Sequence, residues 1–145
     1  MMHGLALLLK SILGHAEFKK YVTNLTQMIT FMRASNKAYQ AVVRAATKLN
    51  VKAKHFIQPG TTRITSVHMA IQSVRANEDA LKRAVKDEEE AFTQTKSKGG
   101  LAVAAAVKTT VFWLRAEALD VLLDPITKVI MAVQSSATTI ADVTR

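Results

Sequence analysis

Apolar residues recur at helical spacing through nearly the whole chain. Phe18, Tyr21, Val22, Leu25, Met28, Ile29 and Met32 follow the i, i+3, i+4, i+7 stripe that turns one face of a helix towards a core. A second stripe runs through Tyr39, Val42, Val43, Ala46 and Leu49. Ser35 and Asn36 lie between the two, where short polar side chains can satisfy the free amides of a helix start. Residues 50–63, with Pro59-Gly60, read as the principal loop. A third helix is predicted to begin near Thr62–Thr65 and to carry Ile64, Val67, Ile71 and Val74 on one side. Asn77-Glu78-Asp79 signals a further start, its acids suited to the positive end of the helix dipole, and that helix runs through Leu81 and Val85 towards Asp87–Glu90.

Lys96–Gly100 reads as a polar break. Val107, Val111, Leu114, Ala118 and Leu122 form the next apolar stripe. Asp124-Pro125 then predicts a restart, with Asp as the cap and Pro at the first helical position, where its missing N–H costs nothing. Ile126, Val129, Ile130 and Val133 continue the period, and Thr138–Val143 a short final helix. Leu5–Leu13 is apolar but short and contains Lys10, which fits a core helix better than a secretory signal. His55-Phe56-Ile57-Gln58 is too short a run to argue for a strand. The expected fold is all-α: an irregular multi-helix domain of about six to eight helices, with residues 1–145 forming one helical domain or a fragment of a larger one.

The absence of cysteine excludes disulfides and cysteine-based zinc sites within the chain. No run approaches the roughly 18 apolar residues of a membrane helix, so the expected location is nuclear or cytoplasmic, neither secreted nor membrane-bound. Charge changes the picture more. Residues 1–77 hold eleven lysines and arginines against Glu17 alone, a surplus of +10, while residues 78–145 sum to −1. A basic half suits a polyanion, most naturally nucleic acid, although a solvated basic face would look the same. Such charge gives affinity for phosphate and not recognition of sequence.

Thr61-Thr62-Arg63-Ile64-Thr65-Ser66 and the run Val111-Phe112-Trp113 to Asp124-Pro125, preceded by His3-Gly4-Leu5, resemble in type and order a stretch of hAT-type DNA transposases and their domesticated relatives. The resemblance covers nearly the whole chain and implies the helical part of a ribonuclease-H-like transposase, past its second catalytic aspartate. It places His3 in a Cys/Asp-x-x-His motif, Arg63 with Thr62 and Ser66 in a DNA-facing Thr-Arg-Trp-x-Ser element, and Phe112, Trp113 and Pro125 in a Phe-Trp…Leu…Pro helix pair. It further implies descent from an enzyme that cuts and joins DNA with divalent metal, through an acidic triad not expected within this segment.

Ile64 stands where that family carries an aromatic that stacks against an extruded base, and an aliphatic side chain offers no π-face for stacking. The residues expected to meet DNA are therefore Lys52, Lys54, Thr62, Arg63 and Ser66, through phosphate. Phe112 and Trp113 are neighbours about 100° apart on a helix and cannot form one platform, so core burial is their expected role. His15, His55 and His68 share no ligand spacing, so no metal site, cofactor or catalytic residue is expected. Asp87–Glu90 reads as a solvated acidic face. The sequence thus points to a catalytically inactive, transposase-derived fragment, with DNA as a candidate partner bound weakly and without sequence preference through the basic first half. The alternative is a helical structural or protein-interaction module, with protein partners or self-association and no nucleic-acid role.

Overall fold

In a computed structural model, residues 16–60, 64–94 and 98–144 are described, with side chains to Ser136. They form seven helices: α1 (Ala16–Ala34), α2 (Asn36–Lys48), α3 (Ile64–Ala76), α4 (Glu78–Asp87), α5 (Glu90–Thr93), α6 (Lys98–Val107) and α7 (Thr110–Thr144). Among the described residues no strand forms, so the fold is all-α as the periodicity predicts. None of these helices is long and apolar enough to cross a membrane.

The core joins helices distant in sequence. The main pairings are α1 with α6, α2 with α4, and α3 with α7, while α6 also meets α4, α5 and α7. Leu25, Ile29, Val42, Ile71, Leu81, Phe92, Val103 and Leu123 are fully buried where these pairs meet. Ser35 caps α2 as expected, its Oγ accepting from the Ala38 amide at 3.2 Å. α2 ends in a Schellman-type turn. Asn50 takes the left-handed conformation (φ 58°), its N–H bonds the Thr47 carbonyl, and the Val51 N–H bonds that of Ala46.

Three features differ from the sequence expectation. Gly99 and Gly100 are not a break but the buried first turn of α6. A Cβ on Gly100 would lie 2.1 Å from the Phe92 carbonyl oxygen and 3.0 Å from the Phe31 ring. Glycine is therefore there for close helix contact and not for a turn. The helix does not restart at Asp124-Pro125 either, and Thr138–Val143 is no separate element: α7 runs unbroken for 35 residues, about 52 Å. Pro125 sits on the exposed side, and the backbone bond it cannot make is set against the burial of its neighbours Leu123 and Ile126. Asp124 does not cap; it pairs with Lys128 one turn on.

The third difference concerns which side of α7 faces inwards. Val111, Leu114 and Leu122, predicted to be core, are exposed, and Val107 belongs to α6. The buried side is Trp113, Ala116, Leu123 and Ile126. Trp113 anchors it: Nε1 donates to the Val107 carbonyl at 2.9 Å, Phe112 meets the ring edge-on, and the Lys82 ammonium lies 5.4 Å from the ring centroid. Replacing Trp113 with Ala should destabilise the fold by about 3–5 kcal/mol. Urea denaturation checks this, and an unchanged midpoint would show that the indole is not a core anchor.

Candidate nucleic-acid interface

The loop between α2 and α3, residues 49–63, is described as far as Gly60, and that part is tied down at several points. Asn77 stands at the cap position of α4, but its side chain makes no capping bond. It turns to the loop instead: Oδ1 accepts the Lys54 amide at 2.9 Å, and Nδ2 donates to the carbonyls of Lys54 at 3.0 Å and Ser73 at 2.9 Å. Ser73 Oγ accepts from the Ile57 amide, Ser66 Oγ accepts from the Gly60 amide, and Gln58 bonds Thr30. Phe56 plugs the core beneath.

This bracing sets the loop against the elbow between α1 and α2 and leaves a groove of about 580 Å³. It is lined by Arg33, Asn36, Tyr39, His55, Phe56 and Ile57, among others. Tyr39 and His55 stack with their planes 4° apart and centroids 6.1 Å apart, and Phe56 meets Tyr39 edge-on. Lys37 follows Asn36 on α2, Lys54 precedes His55, and Lys52 lies two residues before that; all three are exposed. None of Arg33, Lys37, Lys52 and Lys54 has a carboxylate partner among the described residues. The groove thus brings Arg33 beside a partly open aromatic face, with Lys37 and Lys54 next in sequence to lining residues.

The expected site residues fare differently. Lys52 and Lys54 are exposed on the loop that brings His55 to the groove. Ser66 is half-buried and holds Gly60, so its hydroxyl serves the loop. His3, Thr62 and Arg63 lie outside the described residues. Phe112 is half-buried, stacked on Tyr21 with centroids 5.6 Å apart, and Trp113 is core. Pro125 is an exposed helix residue. The sequence reading missed Arg33, Lys37, Tyr39 and His55 as a group. They lie on two helices and a loop, and Tyr39 also carries the period of a core stripe.

Elsewhere the charges are used internally. The Asp87–Glu90 run is exposed, but three of its four carboxylates bind cations. Asp87 holds Lys48 and Arg83, Glu88 takes a forked contact from Arg44 (2.9 and 2.6 Å), and Glu89 meets Lys108. Hydrogen bonds from Arg83 and Lys48 keep the Asp87 carboxyl below the usual range, and the bond from Arg44 does so for Glu88. Exposed pairs of this kind each contribute little.

A more enclosed group fastens α3 to α7. His68, 3% exposed, meets Asp120 at 2.7 Å through Nε2, and Arg75 bonds the other carboxylate oxygen. Burial works to raise the Asp120 carboxyl, but the hydrogen bonds from His68 and Arg75 outweigh it and hold it low. Nearby, the Tyr21 hydroxyl is buried with no hydrogen-bond partner among the described residues. Burial pushes its ionisation up against the pull of Arg115 and Arg75. No nucleophile with a base beside it is evident in this group, and among the described residues no three His, Asp or Glu cluster as metal ligands.

No family model, curated protein or solved structure matches this chain.

The Asp120 group predicts a pH dependence. A carboxyl whose folded pKa is lowered adds stability above its usual value of 3.8, and that contribution is lost as pH falls through the folded value. Asp120→Asn should therefore cost about 1–3 kcal/mol at neutral pH, and the gap to the parent should close on acidification below the usual value. Thermal melts of both proteins from neutral to strongly acid pH measure this. A gap independent of pH would contradict the assignment.

Proposed function

We propose that this chain is a helical module that holds DNA through its phosphates, neither reading sequence nor cutting the strand, and that it derives from the helical part of a hAT-type transposase. The descent rests on the order of the Thr-Arg, Phe-Trp and Pro elements. The binding rests on one observation: Arg33, Tyr39 and His55 share a groove, Lys37 and Lys54 adjoin its lining residues in sequence, Lys52 lies on the same loop, and none of these four cations has a carboxylate partner among the described residues. Cations at such a surface release condensed counterions when they meet phosphate, which drives association whatever the bases are. Tyr39 and His55 add a face on which an unpaired base could stack. Cutting and strand transfer are not expected. Two-metal chemistry needs convergent carboxylates, and Asp87, Glu88, Glu89 and Asp120 are each bound to cations.

A purely structural or protein-interaction module is the second reading. It is favoured by the pairing of Arg44, Lys48 and Arg75 with Glu88, Asp87 and Asp120, which spends part of the basic surplus inside the molecule. A salt titration separates the two. The first reading predicts binding to several unrelated duplexes at low salt, with affinity falling steeply and log-linearly as salt rises. Changing Arg33, Lys52 and Lys54 to Glu should weaken all duplexes alike and flatten the salt slope by about 0.9 for each phosphate no longer neutralised. Absence of binding at low salt, or weakening confined to one sequence, would refute the proposal.

A further inference from the structure

α7 has two apolar sides. At 100° per residue, Val111, Leu114, Ala118, Val121, Leu122 and Val129 fall within one sector of about 100°, directly opposite the Trp113–Leu123 side that faces the core. Pro125 and Ala132 lie in the same sector, so from Val111 to Ala132 no polar residue interrupts it. Among the described residues nothing covers these side chains: Val111 is 51% exposed, Leu114 58%, Val121 68% and Leu122 47%. A helix lying on the surface of a domain ordinarily turns a polar face outwards, and one that is apolar on both sides has a partner on both.

The geometry points to a second copy of this chain as that partner, laid antiparallel so that the outer faces of the two α7 helices pack about a two-fold axis near Leu122. In this register Leu122 meets its own counterpart, Val121 meets Pro125 of the other copy, and Leu114 meets Ala132. Charge selects the same register. Glu117, which has no cationic partner among the described residues, comes opposite Lys128 of the other copy, and symmetry makes the contact twice. Lys128 is held only by Asp124 at 2.8 Å, with 75% of its side chain exposed. Flanking charges that match once the apolar seam is closed are what fixes orientation in paired helices. The surface shares no residue with the groove of Arg33, Tyr39 and His55, so self-association and nucleic-acid binding are separate properties.

Sedimentation equilibrium over a range of concentrations tests the proposal on the whole chain. The parent should reach a dimer. Val121→Glu places a charge in the seam twice and should raise the dissociation constant about tenfold or more, while the helical circular dichroism stays that of the parent and the thermal midpoints agree at concentrations where the parent is monomeric, since Val121 touches solvent in the monomer. Glu117→Lys and Lys128→Glu should each weaken the dimer, and the two together should restore it, which only a contact between copies can produce. A monomer at every concentration reached would overturn the proposal and leave the face to a different chain or to residues 1–15. A dimer indifferent to Val121→Glu, or a double swap that fails to restore association, would also overturn it.

Discussion

One buried side-chain amide holds the loop that carries the basic groove. Asn77 is 1% exposed, and its amide is fully engaged by the backbone of Lys54 and Ser73. Its backbone also joins two helices, accepting from Leu81 and donating to Val74. A loop without secondary structure has backbone donors and acceptors that water would otherwise claim. Here the side chain of the α3–α4 junction takes both groups of Lys54, as a neighbouring strand would. Removing one member of such a pairing leaves buried groups unsatisfied, at about 1–3 kcal/mol. Because the loop is held at Lys54, His55 is kept against Tyr39 at the α1–α2 elbow.

The rest of the molecule supports that arrangement from behind. α3, which supplies Ser73 and leads into Asn77, is itself fastened to α7 by Ile64, Val67, Ile71 and Val74 and by the His68–Asp120–Arg75 group. The acidic run after α4 draws in Arg44 and Lys48, steadying α2 from the far end. The cations of the first half thus serve two purposes. Arg44, Lys48 and Arg75 hold helices together, and Arg33, Lys37, Lys52 and Lys54 have no carboxylate partner among the described residues.

Much of this was legible in the sequence where one face of a helix is apolar and the other is not. The stripes of α1 and α3, the Ser35 cap and the position of the loop all follow from periodicity and capping chemistry. α7 defeats the same reasoning because both its faces are apolar, so spacing alone picks out Val111, Leu114 and Leu122 as readily as Trp113, Ala116 and Leu123. Asp124-Pro125 and Gly99-Gly100 carry local signals for a start and a break that tertiary packing overrides. Asn77 has the residue type of a cap and the position of one, yet nothing nearby in sequence announces Lys54 as its partner. The Arg33–Tyr39–His55 groove is likewise a product of tertiary structure. Charge reveals that a basic surface exists, and only the fold assembles it.

Amide hydrogen exchange measures, residue by residue, whether Asn77 holds the loop. In the parent, the Lys54 and Ile57 amides should be protected nearly as well as those of α3. In Asn77→Ala the Lys54 amide should exchange far faster, while those in the middle of α1 and α2 keep their protection. Free exchange at Lys54 in the parent, or unchanged protection in the variant, would contradict the central role given to Asn77.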